Sequence, residues 1–238
     1  MALQLTLRYA NTGAARISLN GFLLVNDLAG ESGSLRAEPY AVPGTNVLRI
    51  DTPPTPDAQA TVQIALVSDA DGTVTQLLSQ VTHPDATRPA PSSQTTFELP
   101  QHLPRWTWVG AQPAPAGSER LIPEALARLA TALMRGPDDV LLQLLALKHG
   151  EIGTALGIGK ERMDRGLLHS LGVRRAHPEF RVEVAAPEDL DLAWSSDRRI
   201  VRALRRDGRD AIQLRHEGDW SGFAVSLAFG AGQWWILR

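Results

Sequence analysis

The chain has 238 residues, with 24 Lys+Arg against 26 Asp+Glu for a formal net charge of -2, and 43% of its residues are hydrophobic. That composition excludes a wholly disordered chain, leaves enough apolar material for a core, and points to one or two domains. No apolar run of about 18 residues occurs, which excludes a transmembrane helix. The absence of cysteine excludes disulfides, thiol catalysis, iron–sulfur clusters and cysteine zinc sites.

The predicted elements begin with a strand. Leu3, Leu5, Leu7 and Tyr9 alternate with polar residues, whereas a secretory signal needs a continuous apolar stretch of about 7–15 residues. The expected compartment is therefore the cytoplasm, and a cysteine-free chain is compatible with its reducing chemistry. The basic residues are arginine apart from Lys148 and Lys160, a bias ascribed to a GC-rich bacterial genome. Asn20-Gly21, between 16–19 and 22–25, predicts a hairpin, because a type I′ turn needs positive φ at both central residues. Asp71-Gly72 repeats the device between 62–67 and 73–78, and Pro43-Gly44-Thr45-Asn46 is a turn leading into 47–50. Short strands punctuated in this way predict an N-terminal all-β sandwich over residues 1–95. Pro84, Asp85, Pro89, Pro91, Ser92 and Ser93 mark 84–94 as a linker.

A C-terminal α+β domain is expected over 105–238. Residues 106–109, Trp-Thr-Trp-Val, read as a short aromatic strand or docking segment, and 113–118 as a loose connection. From about Glu119, residues Leu121, Ile122, Leu126, Leu129, Leu133 and Met134 take helical spacing, with Pro123 tolerated in the first turn. Gly136-Pro137 stops that helix, and Asp138 and Asp139 favour a new start that carries Val140, Leu141, Leu144, Leu145 and Leu147. A third helix is predicted from Lys160 to Ser170, ended by Gly172.

Strands return at 180–184, and Asp207-Gly208 predicts a hairpin joining 199–206 to 211–214. Phe223, Val225, Leu227 and Phe229 then share one face of a single alternating strand. After a Gly230-Ala231-Gly232 turn, 234–237 is apolar on both faces and so is expected to be covered on both. Helices followed by an antiparallel meander define the α+β reading.

Two resemblances attach to this half. Asp207-Gly208, the 223–229 strand and Gly232-Gln233-Trp234-Trp235-Ile236-Leu237 resemble the cone-shaped nuclear-transport-factor-two-like superfamily over roughly residues 119–238. A helical insertion around 152–171 departs from that pattern. The resemblance implies an internal cavity but no one function, since the superfamily includes enzymes, ligand binders and interaction modules. Residues 149–168, with Glu151, Ile152, small Gly153, Leu156, turn Gly157, Ile158 and Met163, are similar to a bacterial helix-turn-helix. This second resemblance implies Lys160, Arg162 and Arg165 on a helix in a DNA major groove. The competing packed-helix reading makes Ile152, Leu156, Ile158 and Met163 core.

Catalytic motifs are sparse. Gly153 to Lys160 lacks the spacing and the hydroxyl of a phosphate loop, and no Gly-x-Ser-x-Gly run occurs. His83, His102, His149, His169, His177 and His216 include no i, i+4 pair, so no metal or other cofactor is expected. If the cone-shaped domain is a cavity enzyme or small-molecule binder, Asp191, Trp194, His216 and Trp235 are its candidates. Arg198, Arg199, Arg202, Arg205, Arg206 and Arg209 form the densest charge feature, flanked by Asp197, Asp207 and Asp210. Residues 101–238 carry 19 basic and 17 acidic side chains, against 5 and 9 in residues 1–100. The arginine run suits an acidic partner, a nucleic-acid backbone, or a solvated sheet edge.

The expected function is a non-enzymatic cytoplasmic protein that binds a protein partner, in a bacterial toxin-neutralising or secretion-accessory setting. The alternatives are a helix-turn-helix DNA-binding regulator and a small-molecule binder or enzyme using the C-terminal cavity.

Overall fold

A computed structural model describes residues 3–11, 15–27, 32–51, 59–68, 72–83, 92–100 and 106–238. The chain divides into two compact units, Met1–Arg105 and Trp106–Arg238. Among the described residues, antiparallel sheets combine with four α-helices that lie mid-chain, and no described helix is long and apolar enough to cross a membrane.

The first unit contains β1 (Leu3–Asn11), β2 (Ala15–Leu19), β3 (Phe22–Asp27), β4 (Ser32–Arg36), β5 (Gly44–Asp51), β6 (Ala60–Ser68), β7 (Val74–His83) and β8 (Ser92–Leu99). They form two antiparallel sheets, ordered β4-β1-β6-β7 and β3-β2-β5-β8. Alternate residues of both sheets, among them Leu7, Ile17, Leu48, Ile64 and Phe97, bury into one apolar cluster. The β2–β3 turn has φ of +50° at Asn20 and +85° at Gly21, the geometry the dipeptide predicts. Buried Asn46 locks this turn to the next. Its Nδ2 donates to Val42 O and Gly44 O, while its Oδ1 accepts from Val42 N and Asn20 Nδ2.

Residues 92–94 belong to β8, which corrects the linker expected through Gln94. The Asp71 half of the second predicted turn and residues 84–91 of the linker lie outside the described residues. Ser93 and Thr95 bond His83 Nδ1 at 2.8 Å and Ser79 at 3.0 Å, so polar side chains anchor this edge strand.

The second unit opens on buried Trp106, which caps a single 3₁₀ turn at Thr107–Gly110 that contains buried Trp108, where a short strand was one expectation. The helices are α1 (Ile122–Arg135), α2 (Asp138–Leu144), α3 (Ala146–Ala155) and α4 (Lys160–Arg175). Ile122, Leu126, Leu129 and Leu133 form the buried stripe of α1. Gly136 ends that helix where a Cβ would stand 2.6 Å from Ala132 Cα. The single helix expected through Leu147 is broken at Leu145, a fully buried residue between α2 and α3.

Helix α4 passes through Gly172, where an end was expected. Arg175 supplies a reason. Its guanidinium donates to Leu133 O at 3.0 Å and Ala132 O at 2.7 Å, two carbonyls of the last turns of α1. It also pairs with Asp138 at 2.8 Å. Satisfying these carbonyls ties the last turn of α4 to the α1–α2 junction.

The strands are β9 (Arg181–Val184), β10 (Leu190–Trp194), β11 (Ile200–Arg205), β12 (Ile212–His216), β13 (Asp219–Phe223), β14 (Ser226–Gly230) and β15 (Gln233–Ile236). They make two sheets, β10-β11-β14-β15 and β13-β12-β9. The alternating strand expected over 223–229 is therefore two strands. The chain leaves one sheet at Phe223 and joins the other at Ser226, and the carbonyl of the intervening Ala224 accepts from Lys148 Nζ. The turn at Asp207-Gly208 is tight, with Gly208 φ at +84°, but β11 and β12 fall in different sheets, and an isolated bridge joins Leu204 of β11 to Asp210, ahead of β12. Of the 234–237 segment, Trp234, Ile236 and Leu237 are buried, whereas Trp235 is only half-buried.

Candidate functional site

The arginine run does not gather into an unbalanced positive patch. Arg199 pairs with Asp197 at 2.5 Å, Arg202 with Asp210 at 2.6 Å, and Arg209 with Asp207 at 2.6 Å. Burial opposes ionisation of Asp197, but hydrogen bonds from Ser195 and Arg199 outweigh it and hold the carboxyl below its usual range. Arg198 lays its guanidinium 4.3 Å from the centre of the Trp194 ring. Arg205 is half-buried on β11, and Arg206 is exposed.

The four cavity candidates are dispersed. Asp191 and Trp194 lie on β10, opposite Leu204 and Val201 of β11, with the Trp194 ring 5.9 Å from that of Trp234. His216 ends β12 in the other sheet, its ring 5.0 Å from His177. Trp235 on β15 lines a cleft of about 630 Å³ whose walls come from α1, the α2–α3 junction and β15. Of the four, only Trp235 reaches this cleft. Leu144, Leu147 and Ile236 contribute its apolar surface. Arg128, Gln143 and Gln233 are its exposed polar groups, with no partner among the described residues.

Helix α3 carries a polar trio that sequence reasoning did not group as a site: Lys148, His149 and Glu151. Glu151 is buried. Its Oε1 accepts from Thr107 N at 2.5 Å, and its Oε2 pairs with Arg238 at 2.7 Å. Lys148 Nζ donates to Ala224 O at 3.1 Å and lies 4.7 Å from the centre of the Phe223 ring, with no carboxylate partner among the described residues. Burial, then the charges of Arg202 and Arg238, lower its pKa from 10.5 to about 8. His149 is 4% exposed, and its Nδ1 meets Asp164 Oδ1 at 2.7 Å. Burial lowers the His149 pKa, and the Asp164 bond offsets this only in part. Asp164 is itself held by Lys160 at 2.5 Å; these two bonds outweigh the burial that opposes its charge and keep its pKa low. One signal for the trio was present in the sequence: the two lysines of an arginine-rich chain both belong to α3 or α4.

In the stretch similar to a helix-turn-helix, Gly153 packs so closely that a Cβ would stand 2.6 Å from Gly159 C, and Gly157 turns the chain at φ +67°. Lys160, Arg162 and Arg165 are exposed on α4. Ile152, Leu156, Ile158 and Met163 are half-buried, short of the core positions the packed-helix reading assigns them. Among the described residues, no group of three or more His, Asp or Glu side chains gathers to hold a metal. No protein family, curated protein or solved structure matches the chain.

Proposed function

We propose that this chain is a non-enzymatic, cytoplasmic binding protein whose C-terminal unit takes a short segment of a protein partner into the Trp235 cleft. The observation that carries the reading is the cleft itself: about 630 Å³ lined by Trp235, Leu144 and Leu147, with Arg128, Gln143 and Gln233 unengaged. Concave, mostly apolar surface with a few oriented polar groups is the usual form of a recognition site. An aromatic anchor beside a free guanidinium favours a partner segment that sets an apolar side chain next to a carboxylate. Helices placed before antiparallel strands support the likeness to the cone-shaped superfamily, and the two-sheet first unit supports the sandwich reading. A toxin-neutralising or secretion-accessory setting accommodates such a module.

Affinity capture from the native host with wild type, Trp235→Ala and Arg128→Glu tests this reading. A partner held by wild type and lost from both variants supports it. Equal capture by all three, or measurable turnover of a small molecule in place of a protein, overturns it.

The DNA-binding alternative draws on one specific observation: the close Gly153–Gly159 packing and left-handed Gly157 set α4 at a tight turn with Arg162 and Arg165 outward. Affinity for duplex DNA must then fall steeply with salt and collapse in Arg165→Ala. Binding that ignores salt, or that Arg165→Ala leaves intact, removes that reading.

A further inference from the structure

We infer that the groove between α3 and α4 is a binding site for a phosphate monoester with an apolar body, independent of the Trp235 cleft. This groove encloses about 830 Å³ and is lined by His149 from α3, Ile158 from the turn, and Met163 and Leu167 from α4, with Arg162 and Arg165 beside them. Gly166 and His169 complete it.

The charge of the lining is one-sided. No carboxylate contributes to it, and Arg162 and Arg165 have no partner among the described residues. This sets them apart from Arg175, Arg199, Arg202, Arg209 and Arg238, all of which hold an acid. Glu161, one turn before Arg165, makes no ion pair with it. Asp164 is engaged by His149 and Lys160 and does not line the groove.

His149 supplies the second observation. It is more than nine-tenths buried and lines the groove, and Asp164 engages its Nδ1 while no described group bonds its Nε2. Since Asp164 is ionised, it accepts from Nδ1–H, which leaves the lone pair on Nε2. A phosphate monoester uses each of these parts. Two guanidinium forks take its anionic oxygens, and the Nε2 lone pair accepts a hydrogen bond from the P–OH of the monoanion. The side chains of Ile158, Met163 and Leu167 give a surface for whatever the phosphate is attached to.

The probe is phenyl phosphate, titrated into the full chain while the His149 ring is followed by ¹H–¹⁵N NMR. The variants are Arg162→Ala/Arg165→Ala, whose exposed side chains leave folding intact, and Trp235→Ala. Wild type and Trp235→Ala should show the same saturable shift of Nε2, and the double variant should bind about tenfold more weakly or less. Inorganic phosphate should bind more weakly than phenyl phosphate, since it leaves the apolar floor uncovered. No shift up to about 10 mM probe overturns the assignment, as does an undiminished shift in the double variant. Equal affinity for inorganic phosphate overturns the apolar body. Arg165-dependent capture of duplex DNA without any response to phenyl phosphate also overturns it, in favour of a nucleic-acid surface. Loss of partner capture in Trp235→Ala alongside an unchanged phosphate response shows the two sites to be separate.

Discussion

Lys148 makes the stability of the second unit depend on pH in a direction opposite to alkaline denaturation. Its ammonium has a carbonyl and an aromatic ring for company, and its pKa is lowered from 10.5 to about 8. Below pH 8 the lysine is charged in both folded and unfolded states, and burying that charge destabilises the fold. Between about pH 8 and 10.5 the unfolded chain binds more protons than the folded one, so stability rises with pH. A gap of this size corresponds to about 3 kcal/mol at about 1.4 kcal/mol per unit.

All six tryptophans lie in residues 106–238, so their fluorescence during urea unfolding reports this unit alone. Wild type and Lys148→Met should be compared from pH 7 to 10.5, the difference between them cancelling every other titration. The methionine variant should be the more stable at pH 7, by up to about 3 kcal/mol less the lost carbonyl bond and ring contact. That advantage should shrink through pH 8–10. Parallel curves for the two proteins would refute the reasoning, because the lysine would then titrate alike in folded and unfolded chains.

Other outcomes follow from the same packing. Glu151→Ala strands the 3%-exposed Arg238 without its acid and should cost about 3–5 kcal/mol by the same fluorescence assay. Gly153→Ala drives a methyl into the Gly159 backbone and should cost about 1–3 kcal/mol, whereas Gly166→Ala, with open space around it, should gain roughly 0.5–1 kcal/mol. Equal effects of the two alanines would contradict the described approach of α3 to the turn. Arg175→Ala removes the donor to the two α1 carbonyls and should cost about 1–3 kcal/mol, with Arg175→Lys recovering only part of it.

Local chemistry was legible wherever it alone decided the backbone. Asn20-Gly21 set its hairpin, and Ala231-Gly232 turned β14 into β15 with φ of +50° and +79°. The apolar stripe of α1 announced its buried face. Tertiary partners decided the rest. The polar residues Ser92 to Gln94 look like the end of a linker, yet they belong to an edge strand held by β5 and by side chains of β7. The clean alternation from Phe223 to Phe229 hides a change of sheet at Ala224–Val225.

The candidate site divides in the same way. The aspartates that neutralise much of the arginine run were visible because they lie two to eight residues away, but the sequence could not show that they pair. Trp235 is a cavity candidate by sequence, while Arg128 and Gln143, its companions across the cleft, come from helices that offer no motif. Lys148, His149 and Glu151 are of types common on solvated helix faces, and only the elements packed around them bury His149 and Glu151 and half-bury Lys148.

Calorimetric titration of the captured partner, or of the peptide segment that it presents, into wild type and Arg128→Glu tests the central claim most directly. A carboxylate-bearing segment seated against Trp235 should lose about tenfold or more in affinity when the guanidinium becomes a carboxylate, with the fold unchanged by tryptophan fluorescence. Identical affinities for wild type and Arg128→Glu would contradict the cleft as the place of recognition.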